Sequence, residues 1–76
     1  MNVTLKMIDW ALHGVPVYFH RSVGTGEVYA TTHDFSRFIK EPPIEIVRVR
    51  ITPDTPAGYD CATDPVILNR LKEYNR

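Results

Sequence analysis

The chain contains a single cysteine, Cys61, in 76 residues, which excludes an intramolecular disulfide framework and any cysteine-cluster zinc site. It has no run approaching the ~20 apolar residues of a membrane span. The opening stretch MNVTLKMIDWALHG places only Lys6 ahead of a broken apolar run, unlike the basic start and continuous apolar core of a signal peptide. A cytoplasmic, membrane-free protein is the expectation. Charge of one sign is also missing: nine basic residues balance nine acidic ones, so the broad attraction on which non-specific nucleic-acid binders rely is absent and any anion site must be local.

Chemical signatures are scarce. His13, His20 and His33 show none of the HxH, HxxxH or HExxH spacings that hold two metal ligands on one face. GTGE within SVGTGEV lacks the GxxxxGK pattern and following helix of a phosphate loop. Cys61 beside Asp60 carries no family pattern of a catalytic thiol, and a loop cysteine is the simpler reading. The expectation is a non-enzymatic protein with no metal and no cofactor.

What is present points to a folded globule. The chain is 43% hydrophobic and 11% aromatic, too rich for a disordered tail, and no composition shift divides residues 1–76, so one domain is expected. A chain this short buries only roughly 60 to 65% of the surface its unfolded form exposes. Its own core is thin, and a partner or self-association would add stability.

Leu5, Ile8 and Leu12 fall at i, i+3 and i+7, with Thr4 as N-cap and Gly14 as terminator, which favours a short helix over residues 4–13. The alternation of Val3, Leu5 and Met7 leaves a strand reading open. VPVYFHR (15–21) and EVYATT (27–32) are β-rich runs joined by the glycine-containing SVGTG, hence a hairpin. Pro16 places the first strand at an edge or at its own beginning. Alternation puts Val15, Val17 and Phe19 on one face with Val28 and Ala30, and Tyr18, His20 and Tyr29 on the other.

Thr31 and Asp34 have capping-box spacing, and Phe35, Phe38 and Ile39 form a stripe for a second helix docked on the inner face before Pro42 and Pro43 stop it. Residues 52–63, TPDTPAGYDCAT, read as a loop long enough to bind or to brace. Asp64 and Pro65 supply N-cap and N1 of a last helix with Ile67, Leu68, Leu71 and Tyr74 as its buried stripe. No Lys or Arg occurs from Ile51 to Asn69, so Asp54, Asp60 and Asp64 create a local negative field. The expected fold is α+β in the order αββαβα, with a small three-stranded, mainly antiparallel sheet and helices packed on one face.

The third strand, PPIEIVRVRITP (42–53), contains a parity conflict. Ile44 and Ile46 share one parity, Val47, Val49 and Ile51 the other. A β-bulge at Ile46 and Val47 turns all five inward and Glu45, Arg48 and Arg50 outward; the alternative is a strand partly covered on both faces. If this strand pairs with the hairpin, Tyr18, His20, Tyr29, Arg48 and Arg50 share an outer face suited to a partner, with Asp60 contributing from the acidic loop. The same set also fits ordinary cross-strand aromatic and ionic pairing on a solvated face.

VRVRITP resembles the strand of small phage inhibitors of bacterial RNA polymerase, and the small size, neutral charge and arginine-bearing strand are similar in type to phage-encoded host-modulating proteins. That resemblance implies a protein that binds a host protein and blocks it. The expected function is therefore a protein-binding module acting by steric occlusion, with Arg48, Arg50, Tyr18, Tyr29, His20 and Asp60 as contacts. A small nucleic-acid-binding module stacking bases on Tyr18 and Tyr29 is the alternative. A homodimer through an open VRVRIT edge is compatible with both.

Overall fold

The computed structural model describes residues 4–52 and 54–76. In chain order the elements are α1 (Leu5–His13), β1 (Val15–Arg21), β2 (Val28–Thr31), α2 (Ser36–Ile39), β3 (Glu45–Val49), a 3₁₀ turn (Cys61–Thr63) and α3 (Pro65–Tyr74). The class is α+β and the order αββαβα, as the sequence indicates, and the sheet is antiparallel with strand order β2-β1-β3. Val3, on which part of the strand alternative for the amino-terminal segment rests, lies outside the described residues; from Leu5 the segment is helical.

Local chemistry sets the first boundaries. Thr4 Oγ1 accepts from Met7 N–H at 3.1 Å, satisfying one of the donors a helix start leaves open. Gly14 ends α1 with φ +85° and donates its N–H to Trp10 O at 2.9 Å. A Cβ at Gly14 would stand 2.9 Å from the Val49 carbonyl oxygen, so the glycine also lets β3 pass close by.

The hairpin register pairs Tyr18 with Thr31 and Arg21 with Val28, while β3 pairs Val15 with Val49 and Phe19 with Glu45. Ser22 N–H donates to Glu27 O across the turn, so even-numbered residues of β1 turn their backbone groups toward β2. Pro16 shares that parity but lies beyond the end of β2, where its missing N–H costs no ladder bond.

One face of the sheet carries the core. Val15, Val17, Phe19, Val28, Val49, Cys61 and Ile67 are buried, with Trp10, Ala30, Val47, Leu71 and Tyr74 packed against them. Phe19 and Ile67 are fully buried, each contributing roughly 1.5 to 3 kcal/mol of hydrophobic stabilisation. Asp64 caps α3 by accepting from Val66 N–H at 3.0 Å, with Pro65 in the first turn. Leu68, expected in the buried stripe, is instead exposed, because it is rotated about 100° from Ile67 around the helix.

Two other expectations are corrected. The second helix is a single turn without a side-chain N-cap bond. Thr31 stays in β2 with its Oγ1 accepting from His33 N–H, and Asp34 turns its carboxylate onto the Ser36 hydroxyl and N–H. The segment docks not on the core face but on the opposite one, where Phe35 meets His20 with ring centroids 6.3 Å apart, leaving Phe38 80% exposed. In β3 the pairing runs without interruption through Ile46 and Val47. The extra residue falls earlier: Ile44 N–H donates to the Phe19 carbonyl at 2.9 Å, opposite which Glu45 already sits, a two-to-one arrangement that places the irregularity at the strand's start. Glu45 consequently points to the α3 side, and Ile46 shares the outer face with Arg48.

Candidate functional site

The outer face does gather most of the residues singled out in the sequence. Register places His20 opposite Tyr29, Tyr18 opposite Ile46 and Pro16 opposite Arg48, so the side chains of Tyr18, His20, Tyr29 and Arg48 share one side of the sheet. Their availability differs sharply. His20 is only 1% exposed; its Nε2 accepts from Phe35 N–H at 3.3 Å and lies 3.8 Å from the Asp34 carboxylate. Tyr18 and Tyr29 flank its ring with centroids at 6.5 and 5.7 Å. His20 is thus a buried support that orients two tyrosines, not a contact residue, because the 33–39 segment covers it.

Arg48 is also committed internally. Its guanidinium donates to Asp9 Oδ2 at 3.3 Å and to the Gly14 carbonyl at 3.1 Å, tying β3 to α1. Arg50 lies just past the end of β3 and is exposed. Asp60 caps the 3₁₀ turn by accepting from Ala62 N–H at 3.0 Å.

Tyr18 and Asp60 meet in a cleft of about 330 Å³ at the corner where β1 outruns β2. Trp10, Tyr18 and Tyr59 supply its aromatic lining, and Lys6, His33 and Asp60 its polar atoms. Lys6 Nζ stands 5.3 Å from the centroid of the Trp10 ring, a cation-π distance. Tyr59 donates its hydroxyl to Asp64 Oδ2 at 2.6 Å, and that bond to a carboxylate pushes the phenol up to about 12. Cys61 also borders the cleft. Burial, reinforced by the negative charges of Asp60 and Asp64, raises its thiol above the ordinary value, the opposite of what activates a nucleophile.

A second, more apolar hollow of about 390 Å³ lies between α1 and the residues following β3, bordered by Met7, Trp10, Ala11, Ile51 and Thr52. Trp10 therefore borders both spaces. On the side of α1 turned away from Trp10, an apolar stripe is uncovered, with Leu5 86% and Leu12 69% exposed and Ile8 about half as exposed as Leu5. Isolated exposed leucines are ordinary, but an uncovered apolar stripe along one face of a helix is the composition of a contact surface.

The sequence reading missed Lys6, Trp10, His33 and Tyr59 as site residues. They come from α1, the β2–α2 connection and the 52–63 loop, and only tertiary packing brings them to Tyr18. The one sequence signal available is Pro16, which marks a stretch of β1 that a neighbouring strand leaves unpaired.

No protein-family model matches this chain, and neither does a curated protein or a solved structure.

Proposed function

We propose that this chain is a non-enzymatic protein-binding module that acts by steric occlusion, of the kind that small phage or mobile-element proteins use to modulate a host protein. The observation that carries this reading is the aromatic cleft of Trp10, Tyr18 and Tyr59, together with the apolar stripe left uncovered on the other side of α1. Aromatic anchors with a few charged groups around them provide large contact area at low conformational cost. The contacts are Tyr18, Lys6, Tyr59 and Asp60 in the cleft, Leu5, Ile8 and Leu12 along α1, and Arg50 at the end of β3. Tyr29 and Arg48 act behind them, one against His20 and the other against Asp9.

Base stacking on the sheet face draws less support. Tyr29 lies against the buried His20 ring and Arg48 already has a carboxylate partner, which leaves Tyr18 without the second ring and the cation that a stacked single strand would use on this face.

The test is affinity capture from a host-cell lysate with the tagged chain, with and without nuclease, followed by identification of what stays bound. A single stoichiometric protein that survives nuclease is expected. Recovery that vanishes with nuclease would transfer the assignment to nucleic acid.

A further inference from the structure

The two edges of the sheet are treated differently. At β2, Val28 N–H donates to Asn75 Oδ1 at 2.8 Å, and the Val28 carbonyl accepts from Asn75 Nδ2 at 2.9 Å. The side-chain amide at the C-cap of α3 thus stands where a neighbouring strand's peptide group would, closing that edge at Val28. β3 forms the other edge. Since even-numbered residues of β1 turn their backbone toward β2, the odd-numbered ones face β3, and their partners Val47 and Val49 face back. The N–H and C=O groups of Ile46 and Arg48 therefore point away from the sheet, and no described residue caps them.

The devices that usually guard an edge lie elsewhere. The extra residue at Ile44 and the Pro42–Pro43 pair sit before the strand's central residues. Arg48, whose charge could shield the edge, is folded back onto Asp9 and Gly14. Ile46 remains 51% exposed beside the bare backbone.

We propose that β3 pairs antiparallel with β3 of a second copy about a two-fold axis at Val47, making one continuous sheet through both molecules. The strand itself selects this register. Outward-facing groups match only if Ile46 stands opposite Ile46, Arg48 opposite Arg48, or Ile46 opposite Arg48 of the second copy. The first requires Ile44 to pair outward, but its N–H is already donated to Phe19 O. The second sets like charges directly opposite, which is destabilising. In the third, Ile46 packs along the aliphatic stem of Arg48, Val47 meets its twin, and the two Arg48 guanidinium groups lie on a diagonal, each held by its own Asp9. The pairing is isologous, as a closed dimer requires. This inference is independent of the partner-binding reading, since it needs no other protein.

Sedimentation velocity tests it on the full chain, from low micromolar to several hundred micromolar, for the native sequence, Ile46→Lys and Ile46→Glu. Both substitutions sit on the outer face, and far-UV circular dichroism checks that each variant is folded. In the proposed register the new side chain stands opposite Arg48 of the second copy. Lysine opposes it and glutamate attracts it, twice per dimer by symmetry. The native chain is expected to dimerise in this range, with the lysine dimer roughly tenfold or more weaker than the glutamate dimer at low salt. A native chain that stays monomeric throughout overturns the proposal, as do variants whose dimers are equally strong.

Discussion

Gly14 meets two demands at once: a backbone with φ +85° and room for the Val49 carbonyl, which would lie 2.9 Å from an added Cβ. Alanine satisfies neither. Gly14→Ala should cost about 1 to 3 kcal/mol, measured as a lower urea midpoint at unchanged slope, whereas Gly24→Ala, with nothing near its Cβ position, should be close to neutral. Asn75 is the other residue whose role depends on geometry. Replacing it with alanine removes both amide bonds to Val28, an expected loss of about 1 kcal/mol. The Val28 amide should then exchange with solvent faster than that of its neighbours, and unchanged protection would contradict the edge-closing role.

At the scale of elements, Glu45 links β3 to α3. Its carboxylate accepts from Arg70 Nε at 2.8 Å and Nη2 at 2.7 Å, and from the Tyr74 hydroxyl at 2.9 Å. The guanidinium, chiefly, holds the Glu45 carboxyl below its ordinary value of 4.5, and the same contacts raise Tyr74 and Arg70. Because the folded chain releases the Glu45 proton more readily than the unfolded one, the resulting stabilisation is full above 4.5 and is lost as pH falls through the lower folded value. Glu45→Gln should therefore destabilise by about 1 kcal/mol near neutral pH, a modest figure for a solvent-screened pair. The two proteins should converge in thermal midpoint below the carboxylate range; a gap that persists in acid would assign the effect to packing. Tyr59 runs with the opposite sign. Its contribution is present below 10 and disappears as pH rises toward about 12.

The elements best marked in the sequence are those with local punctuation. Thr4 and Gly14 bound α1, Asp64 and Pro65 start α3, and the glycine-containing turn between two β-branched runs fixes the hairpin, each by chemistry confined to a few neighbouring residues. The second helix was less legible because Asp34 has a closer donor in Ser36 than the capping box would offer. The strand irregularity was misplaced because parity alone shows that Ile44, Ile46 and Val47 cannot all face inward, without saying which one yields. The outer face of Tyr18, His20, Tyr29 and Arg48 followed from alternation, but the burial of His20 and the tie from Arg48 to Asp9 are tertiary facts with no local pattern. The cleft draws its residues from four separated segments, so periodicity could not have assembled it.

Seen as a whole molecule, the chain is longer than its size requires. Its radius of gyration is 13.6 Å with extents of 43 × 26 × 18 Å, against about 11 Å for a compact chain of this length. The excess accompanies uncovered apolar surface: Leu5, Ile8 and Leu12 on α1, Ile44 and Ile46 on or beside β3, and Phe38 past the covered histidine. A core confined to one face of three short strands leaves this surface for association to bury. If the cleft and α1 form the contact surface, changing exposed charges beside them should weaken capture without unfolding the chain, since Lys6 and Arg50 are both exposed and neither belongs to the buried core.

The decisive comparison is the yield of nuclease-resistant protein captured from lysate by the native chain and by the Lys6→Glu, Arg50→Glu double variant, with both baits shown to be folded. One protein recovered in stoichiometric amount on the native chain, and reduced roughly tenfold or more on the variant, is the expected result. No specific protein on the native bait, or equal recovery on both, would contradict a binding module that works through this surface.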